Sequence, residues 1–354
     1  MKRYRIAALG GDGIGPEVIE AGLEVLQTLA ERDGAFALEV ERVPWGSAYY
    51  REHGRMMPDD GVERLKAFDA IYFGAVGEQG IPDHVTLWGL RLAICQGLDQ
   101  YANVRPARVL PGILSPVRTG RLDCIIVREN SEGEYAGQGG RSHRGQPEEV
   151  GTELAIFTRK GTDRIMRFAF DLARTRERSH LHVVTKSNAQ RHGMVLWDEI
   201  AREVAEGYPD VTWRFELVDA MSTRFVLSPE SIDVVVATNL HADILSDLAA
   251  AVSGSLGIAP TANLDPERRH PSMFEPIHGS AFDIVGKGIA NPLATFWSGA
   301  LMLDHLGEST AASALMGAIE RVTASRVLTP DLGGKATTAE VTRAVCEAIR
   351  GANR

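Results

Sequence analysis

Asp243 and Asp247 stand four residues apart in the segment Asn239-Leu-His-Ala-Asp-Ile-Leu-Ser-Asp247. The run before it, residues 233–238, is apolar and reads as a buried strand, and residues 244–252 are periodic and read as a helix. A spacing of four puts both carboxylates on one face, in the first turn of that helix. Like charges there repel, and a helix N-terminus offsets each by only about 0.3–1 kcal/mol. A bound divalent cation would neutralise both. Hard cations such as Mg2+ and Mn2+ take carboxylates together with substrate oxygens. A solvated acidic helix start accounts for the same pair without a metal, and the segment alone leaves both readings open.

Three cationic residues could complete a site for an acidic molecule. Arg105 precedes Pro106 and is biased to extended backbone. Arg128 leaves the apolar strand expected over residues 123–127. Two guanidinium groups delivered by strands suit a carboxylate, which they bind in bidentate fashion, although surface ion pairing is the ordinary fate of a single arginine. Lys186 follows a strand over residues 181–184, at the carboxyl end where α/β folds gather their chemistry. The loop Gly10-Gly-Asp-Gly-Ile-Gly15, between a strand (4–9) and a helix (17–32) opened by Pro16, invites a dinucleotide reading. It lacks the full G-x-G-x-x-G spacing, and such loops are also plain tight turns.

Strands and helices alternate through the chain, which points to α/β architecture. Further strands are expected at 36–43, 70–75, 155–157 and 211–217. Helices are expected at 47–53, 59–68, 90–99, 162–176, 194–206 and 295–306. Residues 138–150 read as a polar loop or arm, and residues 273–292, rich in turn formers, as a structured loop closing on a ligand. The length of 354 residues favours two domains. A net charge of −9 argues against nucleic acid or an anionic membrane as partner. The spacing of Cys95, Cys124 and Cys346 fits neither disulfides nor zinc, and with no signal peptide or transmembrane run a cytoplasmic protein is expected.

Several motifs agree in order and spacing: Gly11-Asp-Gly-Ile-Gly-Pro-Glu17, Asn103-Val-Arg-Pro106, Arg128-Glu-Asn-Ser-Glu-Gly-Glu-Tyr135, Thr185-Lys-Ser-Asn188, Asp243-Ile-Leu-Ser-Asp247 and Glu275-Pro-Ile-His-Gly-Ser-Ala281. Together they resemble the β-decarboxylating dehydrogenases, the isocitrate and isopropylmalate dehydrogenase family. Asp83-His-Val-Thr-Leu-Trp-Gly89, Asp99-Gln-Tyr101 and Phe157-Thr-Arg-Lys-Gly161 look most like its tartrate/D-malate branch. The resemblance implies a two-domain α/β fold that is not a conventional Rossmann fold. Residues 1–100 with 254–354 would form a discontinuous cofactor-side domain, and 101–253 a substrate and dimerisation domain. It implies a homodimer whose active sites borrow Lys186 and Asp219 from the neighbouring subunit. It also implies an NAD-dependent oxidation, with decarboxylation, of a malate-like 2-hydroxy acid such as D-malate or tartrate. Asp219, Asp243 and Asp247 would hold Mn2+ or Mg2+, Lys186 would be the general base, Tyr135 the acid, and Arg105 and Arg128 the carboxylate ligands. Glu275, His278, Gly279, Ser280, Ala281, Asp283 and Asn291 would line the cofactor site. Asp283 favours NAD because a carboxylate accepts the free ribose hydroxyl and repels a 2′-phosphate.

The sequence departs from that family in one helix. Cys95 stands where the family carries an arginine, and Gln96 where the tartrate/D-malate branch carries another. Losing a charge-assisted contact costs about 1.5–3 kcal/mol of binding. Arg91 lies one turn earlier, at the position resembling the family's selector for the substrate's C3 group. It is expected to rebind the carboxylate or to read an anionic side group. Phe282 replaces a proline, and His241 and Ala242 replace an apolar residue and a glycine; His241 is expected to pack. The alternatives are the same chemistry on isocitrate, homoisocitrate, isopropylmalate or a phosphonate analogue, and, from another class, a non-catalytic regulatory or binding paralogue.

Overall fold

The computed structural model describes residues 1–351. Its strands are β1 (Lys2–Gly11), β2 (Phe36–Arg42), β3 (Ala70–Ala75), β4 (Ala102–Arg108), β5 (Asp123–Glu129), β6 (Gly133–Ser142), β7 (Val150–Ile156), β8 (His180–Thr185), β9 (Thr212–Leu217), β10 (Val234–Ala237), β11 (Pro260–Leu264) and β12 (Ser272–Pro276). Ten of them form one sheet in the order β2-β1-β3-β12-β11-β4-β5-β10-β8-β9. The outer strands are parallel within each half, and the three central pairings, β12–β11, β11–β4 and β4–β5, are antiparallel. Strands β2, β1, β3, β12 and β11 come from the ends of the chain and the other five from its middle.

Burial on both faces explains the composition of these strands. All six residues of β3 and all four of β10 are buried, and both read as unbroken apolar runs. One core packs the helices Gly15–Asp33, Leu293–His305, Ser309–Ala324 and Thr338–Gly351 on the sheet. A second, around Trp197 and Phe170, lies under the helices Arg159–Thr175 and Gly193–Ala205. The helix Asn239–Ser253 buries Ala242, Leu245 and Ala249 against Ala107 and Ile126 of β4 and β5. It starts five residues earlier than its periodicity indicates, because Thr238 supplies the N-cap. Asp243 and Asp247 therefore occupy its second and third turns, beyond the reach of the helix dipole.

One region matches the sequence reading and another differs from it. Residues 138–150 are the end of a polar arm: residues 138–142 of β6 pair with β7 apart from the main sheet, and residues 143–149 form the connection between them. Most of its residues are exposed, so no apolar alternation marks it. The segment expected as a helix over 90–99 begins earlier and is broken. Asp83–Thr86 passes through a π turn, Leu87–Arg91, into Leu92–Gly97, and Arg91 ends the π turn.

The glycine loop after β1 is a joint of the scaffold. Asp12 is buried and accepts hydrogen bonds from the Ser47 N–H (2.7 Å), the Ser47 hydroxyl (2.8 Å) and the Gly77 N–H (2.9 Å). The Ile14 N–H donates to the Ser280 carbonyl at 2.9 Å. Gly11 has φ +68°, and a Cβ there would lie 1.9 Å from the Ala75 carbonyl oxygen. Gly11→Ala is therefore expected to lower stability by about 2–3 kcal/mol, measured as a shift in the urea midpoint. A neutral result would mean that the loop is not the joint described.

Candidate active site

Sheet register alone assembles most of the site. Asn103 of β4 lies opposite Arg128 of β5 and opposite Asn263 of β11. Arg105 is two residues from Asn103, and Thr261 two from Asn263, opposite Glu275 of β12. Side chains two apart on a strand, or directly opposite across a ladder, share a face. Arg128, Asn103, Arg105, Asn263, Thr261 and Glu275 thus project to one side of the four strands at the centre of the sheet. The helix Asn239–Ser253 lowers Asp243 onto that face.

Asp243 is held from three directions. Arg128 Nη1 pairs closely with Oδ1, Arg105 Nη1 lies 3.3 Å from the same oxygen, and the Tyr135 hydroxyl donates to Oδ2 at 3.2 Å. Both arginines are buried. Asn239 accepts from Arg128 Nε at 2.9 Å, while Asn103 (2.8 Å) and Ser246 (2.6 Å) accept from Arg105. Burial and the like charge of Arg128 push the Arg105 pKa down, but a guanidinium starts so high that it stays charged. Burial works against the Asp243 carboxylate, yet Arg128, Arg105 and Arg91 bring its pKa below the ordinary carboxylate value. Burial and then Asp243 raise Tyr135, which stays a protonated phenol. These groups line a cavity of about 240 Å³ with Arg91, Asp247, Thr261, Glu275, His278 and Gly279.

The other expected residues fall into three places. Arg91 is buried in the cavity wall against Glu275, with Cys95 also buried one turn on. Lys186 and Asp219 pair with each other at 2.7 Å, outside the cavity lining. Ser280, Ala281, Asp283 and Asn291 continue along the loop beyond the cavity. Asp283 is exposed there, and Asn291 is committed to Asp331 (2.9 Å) and to the Leu293 N–H (3.0 Å). Asn103, Asn130, Thr261, Asn263 and Ser246 were not anticipated. Asn103 carried a signal, being in step with Arg105; Thr261 and Asn263 did not, because β11 was not recognised.

A divalent cation is compatible with Asp243 and Asp247, hard oxygen donors one turn apart. Asp247 has no hydrogen-bond donor among the described residues, and partial burial and Asp243 push its carboxyl up. Asp243 is already paired with the two arginines, so Asp247 is the carboxylate that a bound cation would neutralise. Among the described residues no three His, Cys, Asp or Glu side chains are grouped so that they could hold a metal ion together.

The isocitrate/isopropylmalate dehydrogenase family model matches residues 5–348. The chain belongs to this family. A relative named probable tartrate dehydrogenase/decarboxylase, from Agrobacterium vitis, is 68% identical, with 100% of this chain and 99% of that protein covered. The D-malate dehydrogenase [decarboxylating] of Escherichia coli K12 is 51% identical, covering 99% of each. The crystal structure of isocitrate dehydrogenase from Methylococcus capsulatus superposes with a TM-score of 0.90 at 35% identity, covering 98% of this chain and 99% of that one. The chain is thus an α/β protein of the family's fold, and a dehydrogenase by family. Among the described residues no helix is long and apolar enough to cross a membrane.

Next to the site, Glu129 is buried and accepts from the Ser131 N–H (2.8 Å), the Glu132 N–H (2.9 Å) and the Ser131 hydroxyl. Burial outweighs these bonds and pushes its carboxyl from 4.5 up to about 7. Between those values the folded chain keeps a proton that the unfolded chain has released. Stability from this group is therefore full below about pH 4.5 and is lost as pH rises through about 7. Glu129→Gln removes the titration, and its stability relative to the parent is expected to improve by up to about 3 kcal/mol across that window. Urea midpoints at both ends of the window measure this; a difference independent of pH would contradict it.

Proposed function

We propose that the protein is an NAD-dependent, divalent-cation-dependent dehydrogenase that oxidises and decarboxylates a malate-like 2-hydroxy acid, D-malate or a tartrate. One observation carries this reading. Two buried arginines and a tyrosine hydroxyl converge on a carboxylate inside a cavity sized for a small diacid. The Asp243 carboxylate rests where a substrate carboxylate would be bound. The names of the relatives support the choice of acid.

When bound, the nicotinamide supplies a hydride acceptor, and a cation held by Asp243 and Asp247 supplies Lewis acidity at the acid's oxygens. Arg105 and Arg128 grip the departing carboxylate and keep it out of water. Tyr135, protonated and beside them, is placed to deliver a proton to C3. Lys186 would take the proton of the 2-hydroxyl. It lies outside the cavity of its own chain, so we assign it, with Asp219, to the cavity of a neighbouring subunit in a homodimer. Exposed apolar residues support such an interface: Val226 and Leu227 on the helix Val218–Leu227, Leu240 and Ile244 on the helix Asn239–Ser253, and Val150, Leu154 and Ile156 on the arm. The chain-end and middle halves of the sheet are the two domains in this reading. Asp283 would accept the adenine-ribose hydroxyl, which favours NAD. The three free, buried cysteines agree with a reducing cytoplasmic setting.

The test is formation of reduced nicotinamide with Mn2+ over a panel of D-malate, the tartrates, isocitrate, isopropylmalate and phosphonomethylmalate. Turnover of D-malate or a tartrate with NAD, abolished by EDTA, is expected. Arg128→Ala is expected to lower kcat/KM about 10- to 100-fold, and Tyr135→Phe to lower kcat about 100-fold or more. Ligand binding without turnover across the panel would mark a non-catalytic paralogue, and undiminished turnover in EDTA would remove the cation from the account.

A further inference from the structure

Arg91 enters the cavity with its charge already taken. Its Nε lies 2.8 Å and its Nη2 2.7 Å from Glu275 Oε1, and Nη2 is 3.4 Å from Asn263 Oδ1. Asn263 Nδ2 adds a third donor to the same Glu275 oxygen at 2.7 Å. Asn103 and Asn130 in turn donate to Asn263 Oδ1 at 2.6 and 3.1 Å, which fixes the amide. Burial opposes the Arg91 charge, yet Glu275 keeps its pKa above the ordinary arginine value. One turn on, Cys95 adds no charge, because burial pushes its thiol up to about 11. In the cavity lining, Arg91, Arg105 and Arg128 face Asp243, Asp247 and Glu275, so the charges balance. No cation on the Arg91 wall is left for an additional anion. Glu275 Oε2, in contrast, has no donor among the described residues.

We infer that Arg91 is a positioning residue that neutralises Glu275 and presents its second oxygen as the acceptor for a neutral hydroxyl of the bound ligand. This rests on the acid and nucleotide reading above. Without Arg91, Glu275 would be an uncompensated carboxylate in a cavity that must admit an anionic acid. With it, this wall favours a hydroxyl and rejects a further anionic arm. The hydroxyl belongs either to a ribose of the nucleotide or to C3 of a tartrate.

The experiment compares the parent with Arg91→Leu and Arg91→Lys. One readout is NADH affinity without acid, by fluorescence titration, and the other is the ratio of kcat/KM for tartrate to that for D-malate. Loss of a charge-assisted arrangement predicts a fall of about tenfold or more in one of them. Lysine, a point charge on Glu275, is expected to restore part of it. A fall in NADH affinity assigns the hydroxyl to the ribose, and a fall in the tartrate ratio assigns it to C3. If Arg91→Leu does not fold, Arg91→Gln, which keeps a donor for Glu275, is expected to shift the same readout in the same direction. Neither readout moving in a folded variant overturns the inference. So does a parent that prefers isocitrate and loses that preference in Arg91→Leu. A parent that binds no NADH and turns over no acid sinks the underlying reading instead.

Discussion

Two buried guanidinium groups cannot face one small cavity without a carboxylate between them. Arg105 and Arg128 repel each other and have given up most of their water, and Asp243 makes the arrangement tenable. Losing one partner of such a cluster leaves an uncompensated buried charge, which typically costs about 3–5 kcal/mol. The neighbouring polar residues follow from this constraint. Asn103, Asn239 and Ser246 accept one further guanidinium N–H each, and Tyr135 takes the second Asp243 oxygen. The central antiparallel strands provide the geometry, because their register puts every one of the sheet's contributions on a single face.

The sequence made the chemistry easier to read than the architecture that delivers it. Asp243, Arg105, Arg128 and Tyr135 announce themselves through short motifs, and the structure places all four around one cavity. The strand before Asp243 and the helix after it were legible because an apolar run and a helical period are local signals. The start of that helix was not, since Thr238 closes the strand's apolar run and caps the helix at once. β11 and β12 escaped notice because each is five residues long and rich in turn-forming or polar types. With β11 unseen, the link from Asn103 through Asn263 to Glu275 had no basis in the sequence. The same gap hid the partner of Arg91. Its exchange with the missing charge at Cys95 was visible, but the ion pair with Glu275 spans residues 184 apart.

The glycine loop shows how a strong local motif can answer to a different cause. Its spacing suggests phosphate binding, but Gly11, Gly13 and Gly15 are explained by close approach to Ala75 and Ser280, and Asp12 ties the loop to Ser47 and Gly77. The chain matches the isocitrate/isopropylmalate dehydrogenase family model over residues 5–348. Arg91 lines the same cavity as Arg105 and Arg128.

The central claim is that Asp243 sits in the seat of the substrate carboxylate. Calorimetric titration of D-malate and tartrate into metal-free protein, parent against Asp243→Ala, tests it most directly. Freeing the two arginines is predicted to tighten acid binding in the variant about tenfold or more, although the variant cannot turn the acid over. Equal or weaker binding by a folded Asp243→Ala protein would contradict the account, because Arg105 and Arg128 would then not be the acid's seat.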